Sequence, residues 1–271
     1  MDALKALGYD IEASRKGYRL KDDDGLAESD LSGGLSVKVF PELSSTMEEA
    51  RKTAAEGAES GTAILALRQR AGRGRNGRTW ESPPGGLYMS IVLRSVLPVP
   101  YGGAFVLETA KTLLELLETE GVRDVEFRWP NDIVAGPKKL GGILLESFGG
   151  LDRPEYYILG IGLNATPLPL DLSRAVSLRE LAAKVPRRRD IVRTTARRMA
   201  SWAAAPSTDP QRWRGLLDTR QRPARAILWD GHTARISPEG FSPRGELLSA
   251  DGGQPLSIGE CRKIAYQGEE S

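Results

Sequence analysis

Residues 37–40, Val37-Lys38-Val39-Phe40, alternate apolar and polar side chains, as a strand with one covered face does. Ser45 with Glu48, and Thr46 with Glu49, have capping-box spacings that open a helix running through Ala50 and Ala54. Residues 63–67 form a continuous apolar run, a second strand, which delivers the chain into a loop of arginines and glycines. Beyond the loop, residues 86–93 predict a strand and residues 105–117, apolar at helical spacing, a long amphipathic helix. Three more strands are predicted over 125–128, 142–147 and 156–162, and helix over 173–205 with an interruption near Pro186.

The two ends differ from this centre. Leu4, Leu7 and Gly8 suggest the end of a short helix with a glycine stop, and residues 11–20 a small hairpin turning at Lys16-Gly17. An acidic stretch, residues 21–30, is expected to be a linker. A composition break falls at Arg222-Pro223. After it, residues 226–229, 233–236, 246–249 and 263–266 are short strands between glycine turns, the pattern of a small β-barrel appended to an α/β body. The expected units are therefore residues 1–35, 36–221 and 222–271. The sequence has no internal repeat and no low-complexity tract.

Composition narrows the chemistry. Among 271 residues, 40% are apolar and 27% charged, and the formal charge is only +2, so basic function must come from local clustering. One cysteine, Cys261, allows no intrachain disulfide and no cysteine-based zinc site. One histidine, His232, nearly excludes imidazole-based metal chemistry, and a Ser–His–Asp triad unless His232 itself serves. No residue cluster is put forward as a metal site. No signal pattern and no apolar run near the ~20 residues needed to span a bilayer are present, so a cytoplasmic location without membrane contact is expected.

Three constellations carry candidate chemistry. The first is Gln69-Arg70-Ala71-Gly72-Arg73-Gly74-Arg75-Asn76-Gly77-Arg78-Thr79-Trp80. Its glycines let backbone approach a ligand closely, its arginines offer forked donors for carboxylate and phosphate, and Trp80 offers an aromatic face. The same composition suits an RNA-binding segment or a solvated basic loop. It is not a P-loop, because the Gly-Lys-Ser/Thr ending is missing. The second is Arg128-Trp129-Pro130-Asn131-Asp132, a turn by composition, followed by Lys138-Lys139-Leu140-Gly141-Gly142-Ile143-Leu144-Leu145-Glu146. A hairpin accounts for the turn but not for a lysine that opens an apolar strand beside two glycines, where it can reach a bound anion. The third, Gly160-Ile161-Gly162-Leu163-Asn164, is by itself an ordinary strand end.

In order, Ser45-Thr46, the arginine–glycine loop, Trp-Pro-Asn-Asp, Lys-Leu-x-Gly-Ile-Leu-x-Glu and Gly-Ile-Gly-x-Asn resemble the biotin–protein ligase family, in detail over residues 36–164. The resemblance implies an α+β fold: a class II synthetase-like catalytic domain with a mixed sheet and flanking helices, plus a C-terminal SH3-like barrel. It implies an enzyme that joins biotin to AMP using ATP, then transfers biotin to a lysine of a biotin carboxyl carrier domain. Carried over by position, Ser45, Thr46, Gln69, Gly72, Arg73, Lys139 and Gly142 would hold biotin. Arg75, Arg78, Trp80, Asn131 and Asn164 would hold the nucleotide. Lys139, Arg73 and Arg75 would act on the reacting anions, with Asp132 assisting magnesium or accepting the acceptor lysine's proton.

Two departures stand out: Met47 where many relatives carry asparagine, and Ile264 where some carry an arginine that Arg262 or Lys263 would replace. Residues 7–20 resemble the last turn and wing of a winged helix-turn-helix without its upstream helices, so DNA binding is not expected of the chain as written. A homodimer through the central sheet is open, since relatives often pair there. The rivals are a lipoate or octanoyl ligase, a nucleic-acid-binding module and a biotin-sensing regulator.

Overall fold

The computed structural model describes residues 10–14, 17–22, 26–31, 33–167, 174–217 and 223–266. Its frame is a seven-stranded mixed sheet. The strands are β3 (Val37–Phe40), β4 (Ala63–Ala66), β5 (Leu87–Leu93), β6 (Val125–Arg128), β7 (Asp132–Ala135), β8 (Lys138–Gly149) and β9 (Pro154–Leu163), in the order β3-β4-β5-β9-β8-β7-β6. Only β3 and β4 run parallel; the helix α2 (Thr46–Ala55) makes their crossover, as a parallel pair requires. The other neighbours are antiparallel.

Strand periodicity divides the core. Ile64, Val92 and Ile158 point to the face covered by α2, where they pack with Ala50 and Ala54. Their neighbours Leu65, Ile91 and Leu159 point to the opposite face, against α3 (Gly102–Thr119) and α5 (Arg188–Ala204). A short helix, α4 (Leu178–Leu181), precedes α5 and has its own capping box, Ser177 with Glu180.

Two small hairpin-built regions flank the sheet. At the N-terminus β1 (Asp10–Ser14) pairs with β2 (Gly17–Asp22), as the hairpin pattern anticipates. The proposed helix end around Leu4 to Gly8 lies outside the described residues. At the C-terminus β10 (Ala224–Leu228), β11 (Thr233–Ile236) and β14 (Cys261–Tyr266) form one antiparallel sheet. The strands β12 (Pro238–Phe241) and β13 (Leu247–Ser249) form another. Among the described residues these are two sheets and not one closed barrel, a difference from the sequence expectation. The expectation lacked β12, which opens on Pro238 and contains Gly240, both strand-disfavouring residues.

Three further expectations change. Part of the acidic "linker" is folded: α1 (Glu28–Leu31) packs on α5 and β3, and Leu26 and Leu31 are fully buried in the main core. The interruption expected near Pro186 is present, over residues 182–187, but the helix before it is a single turn, Leu178–Leu181, and residues 174–177 are not helical. The capping box of α2 is absent, and Gln69 explains why. Its Oε1 accepts the Thr46 backbone N–H at 2.7 Å, so a distant carboxamide caps the helix instead.

Candidate functional site

On the α2 face of the sheet, just beyond the start of that helix, the side chains run out. Gly142 on β8 pairs with Gly162 on β9, and Leu144 with Gly160, so the floor there is largely backbone. A slot of about 480 Å³ opens over this floor. Trp80 lies directly on it: a Cβ at Gly162 would come within 2.7 Å of the indole, and one at Gly142 within 3.3 Å. The glycines are therefore where the ring sits.

The loop between β4 and β5 forms the roof. Its turn is fixed by Gly74 N–H to Arg78 C=O (2.7 Å) and Trp80 N–H to Gly72 C=O (2.9 Å), with Asn76 at φ 50°. Gln69 anchors its base. It accepts from Thr46 and donates to Ser82 Oγ at 2.8 Å, while Ser90 Oγ donates to Thr46 Oγ1 at 2.8 Å. These contacts pin β4, β5 and α2 together at the neutral end of the slot.

Lys139 stands in the middle. Its ammonium lies 2.5 Å from Asp132 Oδ1 and 5.0 Å from the centre of the Trp80 ring. The antiparallel β7–β8 pair brings these two residues of different strands together, which is why a lysine opens β8. Among the described residues Asp132 is the one carboxylate lining the slot, against eight lysines and arginines that border it. Such a charge balance suits a polyanion.

Arg75 ties the roof to the C-terminal unit. Its guanidinium donates to Asn131 Oδ1 at 3.2 Å, to the Cys261 carbonyl at 2.7 Å and to the Ile258 carbonyl, and it lies 5.5 Å from the centre of the Trp229 ring. Burial lowers its pKa, with Asp132 among the influences acting the other way. Arg73 borders both the slot and the neighbouring groove, where it meets Glu146 at 3.7 Å.

Ten of the sequence-derived site residues border the slot: Thr46, Gln69, Trp80, Asn131, Asp132, Lys139 and Gly142, with Arg73, Arg75 and Arg78 of the roof. Three do not. Ser45 and Gly72 line a larger groove of about 1060 Å³ on the other side of the loop, and the buried Ser45 hydroxyl has no partner among the described residues. Asn164 is buried beneath the slot, where its amide donates to the carbonyls of Lys139 (3.1 Å) and Val176 (3.2 Å). It secures the Lys139 backbone to the segment that starts α4.

Residues given no role by the motifs also border the slot: Arg128, quoted ahead of the Trp-Pro-Asn-Asp turn, Arg174, Trp229 and the pair Arg262 and Lys263, both raised only as substitutes. Trp229 gives no local sequence signal, because it reaches the slot only through the docking of the C-terminal sheet. Among the described residues no three His, Cys, Asp or Glu side chains converge as a metal site.

Fold and slot together define the class: a mixed-sheet α+β protein whose arginine–glycine loop roofs a cationic, glycine-floored cleft. The chain belongs to the biotin/lipoate A/B protein ligase family, whose model matches residues 39–164. It is 37% identical over 181 residues to the bifunctional ligase/repressor BirA of Bacillus subtilis, a match covering 63% of this chain and 56% of that one. It is 31% identical over 189 residues to the biotin–[acetyl-CoA-carboxylase] ligase of Mycobacterium tuberculosis, covering 64% of this chain and 68% of that one. The fold is that of the biotin protein ligase from Aquifex aeolicus solved in complex with biotin and ATP, with TM-score 0.67 and 24% identity, covering 85% and 99% of the two chains. The chain thus spans little more than half the length of the first curated relatives it matches.

Proposed function

We propose that this protein is a biotin–protein ligase. It joins the carboxylate of biotin to the α-phosphate of ATP, releasing pyrophosphate, then transfers the biotinyl group to a lysine amine of a biotin carboxyl carrier domain, releasing AMP. The observation that carries this is that one slot gathers Lys139 with the neutral Thr46, Gln69 and Gly160 and with the cations Arg128, Arg174 and Lys263. A ligand with a neutral ring system and a terminal carboxylate suits the first set, and a nucleotide the second. The two reacting anions then meet at the Lys139 ammonium.

The chemistry needs positive charge more than acid–base groups, because two anions must approach and negative charge grows on the transferring phosphorus oxygens. Lys139 supplies it at the centre, and Arg73, Arg75 and Arg78 from the roof. Thr46 and Gln69 hold the ureido ring, with Ser45 and Gly72 behind them, and Gly142 leaves room above the floor. Trp80 and Asn131 hold the adenylate, and Asn164 contributes through the backbone of Lys139. Magnesium accompanies the nucleotide, which brings phosphate oxygens to a site with one carboxylate, Asp132; that pattern is usual for this ion. After adenylation the same carboxylate is placed to take the proton of the incoming lysine. A roof of glycine and arginine closing on the loaded slot would shield the mixed anhydride from water.

The remaining assignments follow from the same reading. Residues 36–221 are the catalytic domain, class II synthetase-like, and residues 222–271 an SH3-like unit. Within residues 1–35, the hairpin of β1 and β2 corresponds to the wing of a winged helix-turn-helix, followed by a linker. A cytoplasmic location fits a carrier-modifying enzyme; no described helix is long and apolar enough to cross a membrane.

Biotin-dependent exchange of labelled pyrophosphate into ATP tests the proposal. Wild type should exchange with biotin and not with lipoate, and Lys139→Ala should lose on the order of 10²–10³-fold. Exchange driven by lipoate would move the substrate to the other branch of the family. Folded protein with neither exchange would refute the ligase function.

A further inference from the structure

Two buried serines stand behind the side chains that border the slot: Ser82, just after the roof, and Ser90 on β5. Both belong to one chain of hydrogen bonds. Ser90 Oγ donates to Thr46 Oγ1 at 2.8 Å, and Thr46 Oγ1 donates to Gln69 Oε1 at 3.1 Å. Gln69 Nε2 donates to Ser82 Oγ at 2.8 Å, and Ser82 Oγ donates to the Trp80 carbonyl at 3.0 Å.

Chemistry dictates the direction of this chain. The Thr46 backbone N–H can only donate, so the Gln69 atom 2.7 Å from it is the amide oxygen. The Gln69 nitrogen therefore faces Ser82, whose hydroxyl must accept there and keeps its single proton for the Trp80 carbonyl. Gly72 lets the chain pass, since a Cβ there would run into the Trp80 carbonyl and lie 2.5 Å from Ser82 Oγ. Hydrogen bonds in such a row polarise one another, so a change at one member is felt at the next. The backbone bonds of the same loop, Gln69 N–H to Ser82 C=O (3.2 Å) and Trp80 N–H to Gly72 C=O (2.9 Å), do not use the hydroxyl. The loop path is thus held without it. What the hydroxyl adds is a link between Gln69, among the neutral residues of the slot, and Trp80, which lies over the glycine floor beside Lys139.

We propose that Ser82 is a positioning residue that couples the two halves of the slot: a ligand engaging Thr46 and Gln69 sets Trp80 for the nucleotide through it. This rests on the adenylating function proposed above and adds a residue that touches neither substrate.

The test measures binding of biotin and of α,β-methylene-ATP with magnesium, an analogue whose α–β link cannot be cleaved. Each is titrated alone and with the other present, on the full chain. The ratio of the two affinities is the coupling factor, equal whichever ligand is varied. Wild type should show a factor of about five or more. Ser82→Ala should bring it within about twofold of one, with each ligand alone bound within about threefold of wild type. Ser90→Ala, which cuts the chain before Gln69, should keep the wild-type factor. An unchanged factor in Ser82→Ala overturns the proposal, and so does a wild-type factor near one. Equal collapse in Ser90→Ala also overturns it, because general loosening of the core would then explain the loss. Should Ser82→Ala misfold, Ser82→Cys decides: its thiol fits but bonds weakly, so a full wild-type factor there refutes the link. Wild type lacking biotin-dependent exchange refutes the ligase function itself, whereas exchange with coupling unaltered in Ser82→Ala refutes only the role of Ser82.

Discussion

A methyl group added at Gly162 meets a different neighbour from one added at Gly160, two residues along the same strand. At Gly162 it would lie 2.7 Å from the indole of Trp80, a rigid ring whose place is set by the roof. At Gly160 it would lie 2.5 Å from the sulfur of Met47, a flexible thioether that can swing aside. Gly162→Ala should therefore displace Trp80 and lower kcat/KM for ATP by up to about 100-fold, whereas Gly160→Ala should cost less than about tenfold. Steady-state kinetics on the two variants checks this, and equal effects would show that Trp80 is not held by the floor. Met47 also occupies the slot where an asparagine would have added a polar contact, so the neutral end relies on Thr46 and Gln69 for its hydrogen bonds.

At the scale of elements, the residue 26–31 segment decides whether the N-terminal part is tethered or merely connected. Leu26 and Leu31 are fully buried against α5 and its neighbours, and Glu28 accepts the Val39 N–H at 2.8 Å. Leu26→Ala should lower unfolding stability by roughly 2–5 kcal/mol, as for other core leucines, where a solvated linker would show almost nothing. Urea unfolding distinguishes the two. In the sequence this segment carries no sign of burial: its acidic residues dominate the composition, and two leucines five positions apart make no periodic pattern. The strands and long helices of the body, by contrast, were legible because their alternation and helical spacing report burial directly. The slot was legible where ordered motifs supply it, from the roof to Lys139. The cap of α2 by Gln69 and the approach of Trp229 were not, since both join residues distant along the chain by packing alone.

For the whole molecule, the seam between body and C-terminal unit matters most. The backbones of Gly103 and Gly245 approach so closely that neither position has room for a side chain, and the main core runs without a break into β10 and β14. Cys261 lies in this seam, fully buried, and burial pushes its thiol up to about 11. A raised thiol pKa contributes stability that is complete below the ordinary thiol range and lost as pH rises through about 11. At pH 8 a disulfide reagent should label native protein roughly 100-fold or more slowly than unfolded protein, because the thiolate is scarce and covered. Rapid labelling under native conditions would show that the seam opens.

The same seam accepts Arg75's hydrogen bonds through two carbonyl oxygens, those of Ile258 and Cys261, beside the face of Trp229. Every amino acid brings a carbonyl, so the residues at 258 and 261 can drift without losing the acceptors, provided the chain keeps its path. A chimera that grafts a foreign C-terminal unit onto this body thus needs a matching backbone contour far more than a matching sequence.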